Sequence, residues 1–260
     1  MCNYLLRLCL FLFDRILCYP LLRLSSHLNI RFLNLGYIPT SEDVRNVQVE
    51  SRLDRAEDYA SVCLYEKTLS MHPSYPHLNQ LRLLDVGCGH GGGVDWIKRS
   101  HPELAAVIGV DRVPAHSDVI TGDALDLPFP PSSFHIIVNV ESSHLYSDPL
   151  LFFQQVSRCL SPRGVLCWAD LRFDRTEERV KDEAEKAGLR LIQMNDVTQQ
   201  VIQGMHYNTR KYDKLLQRSP WYIRLFSPLL RQTYCASGTT THNRYVRREK
   251  RYWVGSWIKE

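Results

Sequence analysis

The 260-residue sequence predicts an α/β fold: a mostly parallel sheet with helices on both faces, extended by a helical arm at the N-terminus and a helical cap at the C-terminus. Three observations carry that expectation. Beyond residue 80, short apolar runs alternate with amphipathic stretches, the pattern of strands joined by crossover helices. A glycine-rich stretch, LLDVGCGHGGG at 83–93, follows one such run and opens a helix. Asp85, Asp111 and Asp123 recur at or just past the ends of successive runs, where open α/β sheets collect their ligands.

The elements follow in order. Residues 1–24 form the arm, a very apolar segment interrupted by Arg7, Asp14, Arg15 and Arg23, with no uncharged run near the ~20 residues that span a bilayer. Helical spacing puts Asn3, Arg7, Asp14 and Arg15 on one side and Leu5, Leu6, Cys9, Leu12, Phe13, Ile16 and Leu17 over the rest. Such a helix suits a membrane interface or the surface of its own domain, and the sequence leaves both open. Residues 25–79 read as a gate and a helical lid. The gate, 25–40, is extended and broken at Gly36 and Pro39, and a helix over 41–70 opens at Thr40 or Ser41 and stops before Pro73 and Pro76.

The core spans 80–195. Its strands are LRLLDV, AAVIGV, VIT, FHIIVNV at 134–140, GVLCWADL and LRLIQM, with helices after the glycine stretch, near 148–160 and near 175–187. Residues 196–260 make a cap that ends in a strand, RYWVGSWIKE, returning to the sheet. The cap is basic: residues 201–260 hold twelve Lys and Arg against Asp213, Glu249 and Glu260, which accounts for the net charge of +4. Its aromatic residues, among them Trp221, Tyr222, Phe226, Trp253 and Trp257, are expected to pack inward, and no nucleic-acid partner is expected.

Composition narrows the classes. With 44% hydrophobic and 23% charged residues, the chain is neither disordered nor polytopic. Eight cysteines without a CxxC pair point to a reducing, cytoplasmic-side location and to no metal site.

The chemistry begins at the glycine stretch. Gly87, Gly89 and Gly91 let the backbone turn and approach a ligand where a Cβ would collide. Gly87, Gly89 and Gly92 also satisfy GxGxxG, so a nicotinamide-dependent oxidoreductase enters as an alternative. Asp85 weighs against it, because a carboxylate at the strand end repels a pyrophosphate. A cationic ligand without phosphate, such as S-adenosylmethionine, suits an acid there. Asp111, 24 residues beyond Gly87, is placed to accept from ribose hydroxyls, and Asp123 with the Ala124 amide is placed to meet an adenine edge.

Together, DVGCGHGGG, VIGVD, GDALDLPF and SFHIIVNVES resemble the class I S-adenosylmethionine-dependent methyltransferases over about residues 80–195. NLGY at 34–37, NVESSH at 139–144, ADLR at 169–172 and VIQGMHYNTRK at 201–211 are similar to the phthiotriolone and phenolphthiotriolone dimycocerosate methyltransferases, which O-methylate a hydroxylated lipid. The resemblance implies a Rossmann-like sheet, S-adenosylmethionine as cofactor and a small hydrophobic or lipid-like acceptor. It implies cofactor contacts at Asp85, Gly87, Cys88, Gly89, Gly91, Asp111, Asp123, Ala124 and Asn139. Tyr37 is expected to close over the donor, His144 to act as base, Glu141 to orient the reactants and Asp170 to contact the acceptor. One departure stands out. Only ten residues separate Asp111 from Gly122, where the family places a helix between the second and third strands, so the core is expected to be one helix short. That shortening keeps a second class open, a catalytically silent, membrane-associated binding protein.

Overall fold

The computed structural model describes residues 30–40, 49–113, 119–174 and 176–260. The apolar arm at 1–24, the start of the lid helix at 41–48 and the centre of the shortened connection at 114–118 lie outside the described residues. The sheet has seven strands in the order β3-β2-β1-β4-β5-β7-β6. They are β1 (Arg82–Val86), β2 (Ala106–Asp111), β3 (Val119–Thr121), β4 (Phe134–Val140), β5 (Leu160–Phe173), β6 (Leu189–Asp196) and β7 (Lys250–Lys259). The pairs among β1 to β5 are parallel, whereas β7 lies antiparallel between β5 and β6. The expected α/β class is therefore observed, with the last apolar run inserted as the returning strand.

Successive side chains on a strand face opposite sides, so each central strand feeds two cores. Leu83, Ile136, Val138, Val165 and Cys167 join one core; Leu84, Ile137, Leu166 and Trp168 join the other. The first core is closed by α2 (Tyr59–Leu69) and α3 (Gly92–Ser100), the second by α4 (Pro149–Cys159) and α5 (Glu177–Lys186). The helix expected over 41–70 is broken. Within the described part, a short α1 (Val49–Arg52) and a 3-10 turn (Ala56–Asp58) precede α2. Around the break, Asp54 and the buried Asp58 both pair with Arg31, at 2.8 and 2.9 Å, and Asp58 also pairs with Lys211 at 2.6 Å, which ties the start of α2 to the gate and the cap. Glu66, buried on α2, accepts from Trp96 Nε1 at 2.6 Å and Tyr75 Oη at 2.9 Å and meets His101 Nε2 at 3.0 Å, which fixes α2 to α3.

No described residue between β2 and β3 is helical. The register shows why seven residues suffice. Val119 pairs beside Gly109, only two residues back from the end of β2, so the chain must retreat roughly 7 Å along the strand direction, far less than seven extended residues can reach. The cost is exposure: Ile120 on β3 is 42% exposed.

The cap is built on α6 (Thr198–Arg218), followed by α7 (Trp221–Arg224), α8 (Ser227–Thr233) and α9 (Thr240–Val246). The expectation that its aromatics pack inward holds only in part. Trp257, Tyr252 and Tyr245 are buried, but Trp221, Tyr222 and Phe226 are exposed, because α7 and α8 bury none of their residues. No described helix is long and apolar enough to cross a membrane. Gly204 on α6 lies where the helix crosses the gate, and a Cβ there would overlap the Gly36 carbonyl and the Tyr37 amide. Gly204→Ala is expected to push helix and gate apart at a cost of about 1–3 kcal/mol, read as a lower midpoint in chemical denaturation.

Candidate active site

Gly87, Gly89 and Gly91 all adopt positive φ, at +72°, +56° and +80°, so the loop needs glycine at all three positions. Its amides are turned inward. The Gly87 and Cys88 N–H groups donate to the Val110 carbonyl, Gly89 N–H to Asp111 Oδ2 at 2.9 Å and Gly91 N–H to the Cys88 carbonyl. A loop that spends these donors on itself is poorly suited to cradle a pyrophosphate, which disfavours the nicotinamide alternative. The Cys88 side chain is buried against Gly109, and burial raises its thiol well above its ordinary range, so it packs under the loop.

Asp85, one residue before the end of β1, is fully buried. Neither of its oxygens meets a donor in good hydrogen-bond geometry, although the Tyr65 hydroxyl is close enough to act on its charge. Burial pushes its carboxyl up to about 7, against the favourable influence of Tyr65 and with the Asp111 charge adding to the rise. A buried carboxylate without a partner is costly unless a cation arrives. Tyr65, which the sequence reading did not single out, closes this corner: its ring occupies the space a Cβ on Gly93 would need and stands edge-on to Phe32 at 6.0 Å.

Asp111 ends β2 half-buried, accepting from Gly89 N–H and from Val113 N–H at 3.1 Å, one bond to each oxygen. Lone pairs remain for hydroxyl donors. Asp123 accepts from Leu125 N–H at 2.9 Å and pairs with Arg112 at 2.8 Å, an exposed ion pair that a ligand amine can displace; Ala124 beside it is buried. Asn139, expected to touch the cofactor, is instead fully buried and donates to the Val86 carbonyl at 2.8 Å, to Ser142 and to Tyr146, tying β4 to β1 beneath the loop.

The gate crosses this loop. The Ile30 carbonyl accepts from His90 Nδ1 at 2.7 Å, the Arg31 carbonyl sits against Gly92, and Leu33 lies over Gly89. Tyr37, expected over the donor, is buried on α2, with its amide bonded to the Ala60 carbonyl and Lys67 Nζ 6.0 Å from its ring. The part of the gate that meets the glycine loop is therefore 30–33, and the Tyr37 end anchors it.

On the acceptor side, β4 ends at Val140 beside Ala169 while β5 runs on to Phe173 against β7, so the residues just past β4 meet the far end of β5. Glu141 has φ +54° and accepts through Oε2 from Leu35 N–H at 2.9 Å and Tyr252 Oη at 3.0 Å. Burial pushes its carboxyl up to about 8, opposed by the Leu35 amide. Asp170, expected to contact the acceptor, is fully buried, and its oxygens are occupied. It accepts from His144 Nδ1 at 2.7 Å, from the His144 amide at 2.8 Å and from Ser143 Oγ at 2.5 Å, and pairs with Arg172 at 3.0 Å. Burial alone would raise this carboxyl, but the imidazole of His144, the guanidinium of Arg172 and the Ser143 hydroxyl packed around it hold it well below the usual range. Ser143 escapes a sequence reading because only the β4–β5 register brings it to Asp170, whereas Arg172 lies two residues along the same strand and shares its face.

The donor side fits S-adenosylmethionine on the chain's own chemistry: an orphaned buried carboxylate for its cationic end, Asp111 for ribose hydroxyls, Asp123 for an adenine amine and a loop without Cβ atoms beneath. Asp85 yields a pH signature. Affinity for S-adenosylmethionine should rise between about pH 6 and pH 7.5 as Asp85 ionises, below the titration of an amino group at ~7.7–8.0. Because the folded carboxyl is raised, its burial destabilises the ligand-free fold increasingly from about pH 4 to about pH 7. Asp85→Asn should flatten the affinity profile, weaken binding at least about ten-fold and raise the thermal midpoint at alkaline pH. Calorimetric titration and thermal melts across pH check all three.

Residues 84–168 match the family model described as a methyltransferase domain. The chain is 29% identical over 222 residues to the phthiotriol/phenolphthiotriol dimycocerosates methyltransferase of Mycobacterium leprae, spanning 79% of this chain and 78% of that protein. It is 32% identical over 205 residues to the fatty-acid O-methyltransferase of Mycolicibacterium smegmatis, spanning 73% and 70%. In fold it is similar to the geranyl diphosphate C-methyltransferase of Streptomyces coelicolor solved with S-adenosyl-L-homocysteine, at a TM-score of 0.56 and 16% identity over 87% of this chain and 91% of that one. With a cofactor corner of matching chemistry, these relationships make the chain a member of the S-adenosylmethionine-dependent methyltransferases.

Proposed function

We propose that this enzyme methylates a hydroxyl oxygen on a small apolar, lipid-like acceptor, with His144 as general base. The observation that carries the reading is the His144–Asp170 pair at the ligand edge of the sheet. With Nδ1–H donated to a buried, anionic Asp170, the imidazole presents Nε2 as its acceptor, and no described residue occupies that nitrogen. The His144 side chain is 24% exposed, so a substrate can reach it while most of the ring stays fixed.

Bound S-adenosylmethionine supplies a methyl group on a positively charged sulfur. The residues of this chain do the rest. His144 Nε2 takes the hydroxyl proton, and Asp170 stabilises the imidazolium that forms. Ser143, Trp168 and Arg172 hold Asp170 in place: Ser143 Oγ donates to it and accepts from Trp168 Nε1 at 2.9 Å and from Arg172 at 2.8 Å. The gate and Tyr65 keep water from the donor side. Exposed apolar side chains belong to segments at this edge, Leu33 on the gate, Leu145 next to His144 and Phe173 at the end of β5, which supports a hydrophobic acceptor. The relatives are named for dimycocerosates and a fatty acid, which are lipids as well.

His144→Gln is expected to lower kcat on hydroxylated apolar substrates by about 10²–10⁴-fold while S-adenosylmethionine binding stays unchanged. Asp170→Asn should lower kcat in the same direction. Near-native turnover by the His144 variant, measured by transfer of labelled methyl, would overturn the assignment of the base.

A further inference from the structure

We propose that the tip of the cap, residues 218–226, is a docking surface for an anionic phospholipid bilayer. Neither α7 nor α8 has a buried residue, yet the stretch is apolar. Trp221, Tyr222, Leu225 and Phe226 are all more than half exposed, Trp221 at 71% and Leu225 at 69%. Trp96, Trp168 and Trp257 are fully buried, so Trp221 stands apart from them. Its ring meets Tyr222 edge-on at 6.1 Å, which leaves both side chains turned to solvent.

Charge identifies the occupant. Arg218 and Arg224 are exposed within the tip, Arg210 and Lys214 are exposed on the stretch of α6 that leads to it, and no described carboxylate pairs with any of the four. The one acid in the stretch, Asp213, is already taken by Arg231 and Tyr234. Exposed aromatic and aliphatic groups beside unneutralised arginines match the headgroup layer of an anionic bilayer, where Trp and Tyr rings settle and cations meet phosphates. A second copy of the chain is a poor partner, since two such tips carry the same charge. Single-stranded nucleic acid prefers successive aromatic platforms, whereas Leu225, nearly as exposed as Trp221, offers a base nothing to stack on.

The location gives the surface a purpose. α6 runs along the gate, with Gly204 against Gly36, Asn208 donating to the Leu35 carbonyl at 3.1 Å and Tyr212 Oη donating to the Phe32 carbonyl at 3.0 Å. The tip continues from the far end of that helix, so docking it brings the gated edge to the bilayer. This inference does not rest on the identity of the acceptor.

Flotation of the full chain with vesicles of phosphatidylcholine alone, or of phosphatidylcholine with phosphatidylglycerol, tests it. Binding is expected only to the anionic vesicles and should weaken several-fold between about 0.1 M and about 0.5 M salt. Trp221→Ser with Phe226→Ser, and separately Arg218→Glu with Arg224→Glu, should each weaken binding at least about ten-fold, while S-adenosylmethionine binding and thermal midpoint, the controls for folding, stay unchanged. Failure of the native chain to float would overturn the proposal. So would equal flotation of the folded variants, which would assign binding to another segment such as 1–24. Tip-dependent self-association in light scattering, or tip-dependent binding of single-stranded DNA, without vesicle binding would overturn it in favour of those partners.

Discussion

One carboxyl group joins the parts of this molecule that must stay in register. Glu141 leaves β4 in a left-handed conformation, donates its own amide to the Ala169 carbonyl on β5, and accepts through a single oxygen from the gate at Leu35 and from β7 at Tyr252. Central sheet, returning strand and gate therefore meet at one side chain. The gate in turn supports α6, whose Gly204 and Asn208 lie directly on it. Burial keeps the Glu141 carboxyl largely protonated at neutral pH, which removes most of the cost of enclosing it beside Asp170.

The two halves of the site treat their buried acids in opposite ways. Asp85 is enclosed without a hydrogen-bonding partner, so its ionisation is deferred until a cation shares the space. Asp170 is enclosed with a hydroxyl, an amide, an imidazole and a guanidinium around it, and stays ionised. The same residue type is thus pushed toward its neutral form on one side and held as a fixed charge on the other. The difference lies in the neighbours alone.

What the sequence revealed follows from how local each feature is. The strands, the glycine loop and the acids at 85, 111 and 123 are legible because period, positive-φ turns and strand ends are written in neighbouring residues. The shortened β2–β3 link is legible by counting. The setting of Asp170 is only partly legible: Arg172 is two residues along its strand, but Ser143 and His144 reach it only through the β4–β5 register. Tyr65 was missed for a similar reason: it sits mid-helix in an apolar stretch, and only the packing of α2 on α3 brings it to Gly93 and Asp85. The cap shows a further limit. Aromatic residues carry no mark in the sequence that separates Trp257, packed against Trp168 at 5.7 Å, from Trp221 in solvent.

The abbreviated link between β2 and β3 bears on how this sheet avoids recruiting other chains. A parallel sheet ends in a strand whose outer backbone groups are unpaired, and a long edge of that kind is a template for aggregation. Of the two edges, β3 and β6, the one at this end is β3, three residues long, and it offers too short a ladder for a foreign strand to gain a stable hold even though Ile120 is uncovered. A link of seven residues thus leaves this end of the sheet with little ladder to cover.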